Sequence, residues 1–131
     1  MRLLLDTHIV LWSIAEPAKL TRAAVALLED EGNSLVVSAV VIWEAAIKYA
    51  RRRGLPTDMP LSGTALLRIL ETTATVMLPV SPRHSAHVDT LPLLHSDPFD
   101  RLLVAQAQAE SMHLLTHDAK LRGYGDFVIV A

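Results

Sequence analysis

No cysteine occurs among the 131 residues of this chain. That excludes a disulfide framework, a thiolate zinc site and a cysteine nucleophile, and leaves any catalysis to carboxylates, histidines, hydroxyls or a metal held by oxygen and nitrogen. A cysteine-free chain of this kind suits the cytoplasm. Long apolar runs are missing too. The longest, Leu35 to Trp43, falls far short of the roughly 20 residues that span a bilayer, so no membrane crossing is expected. The opening Met1-Arg2-Leu3-Leu4-Leu5 begins like a signal peptide. Asp6 and His8 interrupt it before an apolar core is complete, and no small-residue cleavage site follows, so it reads as mature sequence. Repeats, low-complexity tracts and long linkers are absent, and one domain over residues 1–131 is expected.

Charge is sparse. Twelve Lys and Arg stand against fourteen Asp and Glu, for a net charge of −2, which argues against a protein that coats nucleic acid through bulk positive charge. Only 20% of residues are charged while 51% are hydrophobic. That is little charge for the surface of a free monomer, and it predicts apolar surface covered by a partner.

Short apolar runs at Leu3 to Leu5, Leu35 to Val37, Thr75 to Leu78, His113 to Leu115 and Phe127 to Val130 are rich in branched residues and bounded by polar ones, the pattern of buried strands. Helical spacing fills the intervals Thr7 to Ala15, Arg22 to Glu31, Ala39 to Arg52, Leu61 to Thr72, Pro82 to Thr90 and Pro98 to Ser111. Strands alternating with helices predict an α/β fold, a parallel sheet of about five strands flanked by helices. Ser81-Pro82 and Asp97-Pro98 each place a capping side chain before a proline at a first helical position. Gly54 to Pro60 is the loosest stretch.

In such a sheet, ligands bind beyond the carboxyl ends of the strands, where the following helices also aim their positive ends. Four acids fall there: Asp6 after the first strand, Glu44 in the second turn of the helix after the second, Asp100 in the first turn of the helix leading into the fourth, and Asp118 just after the fourth. Each has a plainer reading. Asp6 and Asp118 precede helical segments that an Asp would cap, and Glu44 with Lys48 has the spacing of an exposed ion pair. Asp97 is the expected cap of the helix beginning at Pro98, whereas Asp100 shares a face with Leu103, Val104 and Ala107. Four crowded carboxylates cannot all be explained as caps, and a cluster ionised at neutral pH requires a cation. Oxygen ligands select a hard one, Mg2+ or Mn2+. That is the equipment for phosphodiester hydrolysis. Setting these four acids aside turns the remaining charge balance positive, compatible with a phosphate backbone.

The ordered set Leu4-Leu5-Asp6-Thr7-His8, Val37-Ser38 with Trp43-Glu44, His95-Ser96-Asp97-Pro98-Phe99-Asp100-Arg101-Leu102-Leu103 and Leu115-Thr116-His117-Asp118 resembles the PIN-domain ribonucleases, and within them the VapC-type toxins of toxin–antitoxin pairs. The resemblance covers nearly the whole chain. It implies a strand order of 3-2-1-4-5 and a Mg2+ or Mn2+ site made by Asp6, Glu44, Asp100 and Asp118, with Thr7 and Thr116 orienting a carboxylate or water. Asp97 is an extra acid next to the third ligand, so that ligand stays a choice between neighbours. His8 and His117 stand where another polar residue is often seen, either touching phosphate or metal or simply solvated. The resemblance also implies cleavage of RNA, often transfer RNA, a homodimer, and neutralisation by a small antitoxin of VapB type. The apolar first helix around Trp12 is a candidate for such contacts or for core packing. Lys48, Arg51, Arg52 and Arg53 form the one dense basic patch. They either complement the helix end or engage RNA phosphates or acidic antitoxin groups.

Rival readings fit less well. A receiver-type phosphorylation domain needs an acceptor Asp at the end of the third strand, where Leu78-Pro79-Val80-Ser81 stands. A zinc hydrolase would use the six histidines, but no His-Glu-x-x-His motif is present. A metal-free PIN-like scaffold that binds RNA or protein without cleaving would not need the complete acidic set.

Overall fold

A computed structural model describes every residue, 1–131. The strands are β1 (Arg2–Leu5), β2 (Ser34–Ser38), β3 (Val76–Leu78), β4 (His113–Thr116) and β5 (Val128–Val130). The helices are α1 (Thr7–Ala15), α2 (Arg22–Glu29), α3 (Ala39–Ala50), α4 (Gly63–Glu71), α5 (Pro82–His87) and α6 (Pro98–Ala109), with 3-10 turns at Pro17–Lys19, Val88–Thr90 and Ala119–Tyr124. All strand pairings are parallel and the sheet runs β3-β2-β1-β4-β5. This is the expected α/β architecture and strand order.

β1 is the central strand. Leu3 and Leu4 pair with Leu35 and Val36 of β2 on one side and with His113 and Leu114 of β4 on the other. With both edges paired and both faces covered, Leu3 and Leu4 are wholly buried, each contributing about 1.5–3 kcal/mol of hydrophobic stabilisation. From α1, Ile9 and Val10 join this core, and from α6, Leu103, Val104 and Ala107. β3 departs from the buried pattern: it is an edge strand, and Val76 is exposed. No helix is long and apolar enough to cross a membrane.

The helix ends are drawn in from the expected limits, and capping explains most of the difference. α2 stops at Glu29 because Asp30 leaves the helix and accepts a hydrogen bond from the Gly32 amide at 2.8 Å. α3 stops at Ala50, so Arg51 to Arg53 lie beyond its last turn. α4 starts at Gly63 because Ser62 is its cap, accepting from the Ala65 amide at 3.1 Å. Residues 82–90 divide into α5 and a 3-10 turn. The stretch after α3 is organised by one carboxylate: the amides of Arg53 and Leu55 both donate to Asp58 Oδ2 at 2.8 Å, around Gly54 at a positive φ of 78°. Those amides, Leu55 first, hold the Asp58 carboxyl below its ordinary range.

Candidate active site

β1 and β4 lie side by side, so the residues that follow them emerge together at the carboxyl edge of the sheet. Asp6 and Asp118 each cap the turn that follows: the Thr7 amide donates to Asp6 Oδ1 at 2.6 Å and the Lys120 amide to Asp118 Oδ1 at 2.9 Å. Capping uses one oxygen of each. The other oxygen of Asp6 accepts from the Thr116 hydroxyl at 2.6 Å, and the Thr116 oxygen in turn accepts from the Asp118 amide at 3.0 Å. Capping and clustering are therefore compatible roles for the same residue.

Glu44 enters from α3 and is buried to 3% exposure. The Thr7 hydroxyl donates to its Oε1 at 2.6 Å, and Lys48, one turn on, reaches its Oε2 at 2.5 Å. The i,i+4 pair anticipated from the sequence exists, but with its acid end inside the protein. Lys48 thus belongs to the acidic site more than to a basic patch. Its ammonium resists burial, but the bond and charge of Glu44, helped by Asp97 and Asp100, leave it harder to deprotonate than an ordinary lysine. Arg52 folds over the Tyr49 ring, 3.9 Å from its centroid, and donates to the Tyr49 carbonyl.

Asp97 is the cap of α6, its Oδ1 accepting from the amides of Phe99 at 2.8 Å and Asp100 at 3.1 Å. Asp100 carries no such duty and turns toward the other acids. Burial, then the negative charges of Asp6, Asp97, Glu44 and Asp118, push its carboxyl up to about 8. Asp6 is raised as well: burial outweighs the lowering effects of Thr116, His8 and the Thr7 amide, and Glu44 adds to the rise. Desolvation works to raise Asp118 too, but the Lys120 amide and the bond and charge of His95 prevail and hold it below the ordinary range.

His95 was not singled out from the sequence, yet it completes the site. The Asp97 amide donates to its Nδ1 at 3.1 Å, so the neutral ring carries its proton on Nε2. That nitrogen lies 2.9 Å from Asp118 Oδ2 and 3.6 Å from Asp100 Oδ2. His95, Asp100 and Asp118 offer ligand atoms within 4.8 Å of one another. The available signal was its position two residues before the cap of α6, where that amide fixes its tautomer. A continuous path of contacts then links Glu44, Thr7, Asp6, Thr116, Asp118, His95 and Asp100. Arg51, Arg52 and Arg53 are exposed beyond α3 and take no part in it.

The donor set fits a hard divalent cation. It is rich in carboxylate oxygen, and burial together with the charges of neighbouring acids, which raise Asp100 to about 8, is the penalty that a bound cation would relieve.

A parallel 3-2-1-4-5 sheet with acids gathered at its carboxyl edge defines the class, and a PIN-domain family model matches residues 3–126. The chain belongs to the PIN-domain family. Among its relatives, Ribonuclease VapC22 of Mycobacterium tuberculosis (strain ATCC 25618 / H37Rv) is 32% identical over 122 residues, covering 92% of this chain and 90% of that protein. Two solved structures share the fold. VapBC2 from Rickettsia felis, bound to a DNA fragment from its promoter, superposes with a TM-score of 0.71 at 18% identity, over 100% of this chain and 98% of that one. FitAcB from Neisseria gonorrhoeae superposes with a TM-score of 0.65 at 20% identity, over 98% and 96%.

Proposed function

We propose that this chain is a metal-dependent endoribonuclease acting as the toxin of a toxin–antitoxin pair. The observation that carries the reading is the state of Asp100, whose carboxyl is raised to about 8 by burial and by the negative charges of Asp6, Asp97, Glu44 and Asp118, beside a cluster of His95, Asp100 and Asp118 with ligand spacing. Asp6, Glu44, Asp100 and Asp118 are the groups that would hold Mg2+ or Mn2+. When bound, such a cation supplies positive charge against the scissile phosphate and makes water a stronger acid there.

The protein's own residues prepare that site. Thr7 and Thr116 donate to Glu44 and Asp6, fixing how these two carboxylates are turned. His95 orients Asp118 through Nε2, as supporting groups orient ligands in metal sites generally. Lys48 offsets the charge of buried Glu44. Asp97 shapes the first turn of α6 and so aims Asp100.

A ribonuclease relative with similar length, and folds shared with VapBC-type complexes, support an RNA substrate and a VapB-type antitoxin. Exposed Trp43, Leu93 and Leu94, at 57%, 91% and 50%, are the apolar surface that an antitoxin or a homodimer would cover. They are better placed for this than Trp12, which is only half-exposed.

Purified protein should cleave RNA with Mg2+ or Mn2+, and stop with EDTA. Asp6→Asn should abolish cleavage with circular dichroism unchanged. Activity that survives both would overturn the mechanism.

A further inference from the structure

The cleft beside the acids has two kinds of wall. It measures about 400 Å³, and apart from Ala119 it is lined by three carboxylates, Asp6, Asp100 and Asp118, and three rings, His8, Trp12 and His117. A volume of this size lies in the range of small-ligand pockets.

The rings form one connected group. His8 and Trp12 stand one turn apart on α1, their centroids 5.5 Å apart and their planes inclined by 49°. His117, from the end of β4, meets Trp12 edge-to-face at 5.0 Å, and its Nδ1 lies 3.2 Å from the Ala131 carbonyl. Both imidazoles are exposed and Trp12 is half-buried in contact with each, so the group is not core packing. Exposed rings beside the acids suit a flat, uncharged group that need not be read by its edges, and Lys19 lies 6.0 Å from the Trp12 ring centre.

The geometry points to a base-stacking shelf: His8, Trp12 and His117 hold an unpaired nucleobase next to the phosphate being cut. This rests on the reading of the acids as a ribonuclease site. Carboxylates repel phosphate, so the backbone would pass on the side that a bound cation neutralises, and the base beside it would meet the rings that line the rest of this cleft. A base can lie across side-chain rings when it has left its own stack, as single-stranded nucleotides do. The shelf therefore selects nucleotides in loops or single strands over those in helices.

The test uses a random-sequence 20-nucleotide RNA library with Mg2+, scored by rate and by sequencing the cut ends. Wild type should show a base preference at one nucleotide flanking the cut. Trp12→Ala should lower kcat/KM roughly tenfold to a hundredfold, about the scale of one base stack, and lose that preference, while Trp12→Phe keeps most of both. In the preferred oligonucleotide, an abasic residue at that position should slow wild type by a similar factor and leave Trp12→Ala little changed. Should Trp12→Ala fail to fold, the double variant of exposed His8→Ala and His117→Ala makes the same comparison. Unchanged rates and preference in a folded shelf variant, or an abasic effect equal in both proteins, would overturn the shelf and leave the rings to a protein partner.

A second arm separates this from the nuclease reading. In Trp43→Phe, Trp12 is the one remaining tryptophan. Its fluorescence should be quenched by a 12-residue oligoadenylate and not by an abasic 12-mer. Equal response to both, or to neither, overturns the shelf. Absence of cleavage by wild type alone would instead remove the ribonuclease reading.

Discussion

The Thr116 hydroxyl donates to Asp6 Oδ2 at 2.6 Å across 110 residues of chain. It can do so because β4 is the direct neighbour of β1, which sets the last residue of one strand beside the first residue past the other. The same Thr116 oxygen accepts from the Asp118 amide, so one hydroxyl fixes two of the four acids. Both Thr116 and Asp6 are buried, where an unmet polar partner costs about 1–3 kcal/mol. Thr116→Val should lower the unfolding free energy by that order, read as a lower urea midpoint, and depress cleavage, while Thr116→Ser restores most of both. A Val variant as stable and active as wild type would contradict this role.

Asp100 predicts an unusual pH dependence for the metal-free protein. A carboxyl raised from 3.8 to about 8 on folding binds its proton more tightly in the native state than in the unfolded chain. The folded state then holds more protons between about pH 4 and pH 8, and stability falls as pH rises through that window. The raised Asp6 acts in the same direction. Asp118, lowered by its partners, has the opposite slope but below about pH 3.8. Thermal melts in EDTA should show the decline, Asp100→Asn should flatten it, and Mn2+ should raise the melting temperature more at pH 8 than at pH 6. A flat profile in wild type would count against the clustering of charge described here.

Replacing His95 should act through Asp118. His95→Ala removes the bond and the charge that help hold Asp118 low, so the Asp118 carboxyl should move toward its ordinary range in an NMR titration. Loss of such a supporting group costs roughly 10–100-fold in metal affinity, measurable by Mn2+ titration calorimetry. Unaltered Asp118 titration and Mn2+ binding would reduce His95 to a packing residue.

The arginines beyond α3 should contribute to RNA binding through charge alone. Reversing Arg51 and Arg52 to Glu should raise KM and flatten the salt dependence of kcat/KM, by about 0.7 in log–log slope for each phosphate that is no longer neutralised. Kinetics and salt slope identical to wild type would exclude the patch from the substrate path.

Gly63 lets α4 lie close against α3. A Cβ placed there would lie 2.9 Å from the Ala46 Cβ and 3.1 Å from the Ile42 carbonyl oxygen. Gly63→Ala should force the two helices apart and cost about 1–3 kcal/mol, read as a fall in urea midpoint. A stabilised variant would mean that the helix pair moves freely.

The sheet was legible because its signals are local. Leu3 to Leu5 and Leu35 to Val37 are short runs apolar on both faces, which only a covered parallel sheet satisfies. Caps at Ser81 and Asp97 marked helix starts to the residue. Helix ends were less legible, since continuing a helix past Ala50 or Glu29 differs little in propensity from stopping, and particular turn bonds decided the matter. The edge position of β3 was also hidden from its composition.

The same division runs through the candidate site. Which acids follow strands and which side chains can cap depends on neighbours along the chain, so the order of residues was enough to mark both; on that basis Asp97 read as a cap, while the third ligand stayed a choice between Asp97 and Asp100. Folding in three dimensions was needed for Thr7 to bridge Asp6 and Glu44, for Lys48 to turn inward to Glu44, and for His95 to join Asp100 to Asp118. These contacts join groups from α1, α3, α6, the loop before α6 and the residues that follow β1 and β4, and their geometry depends on strand order and helix docking, which no local pattern of residues encodes.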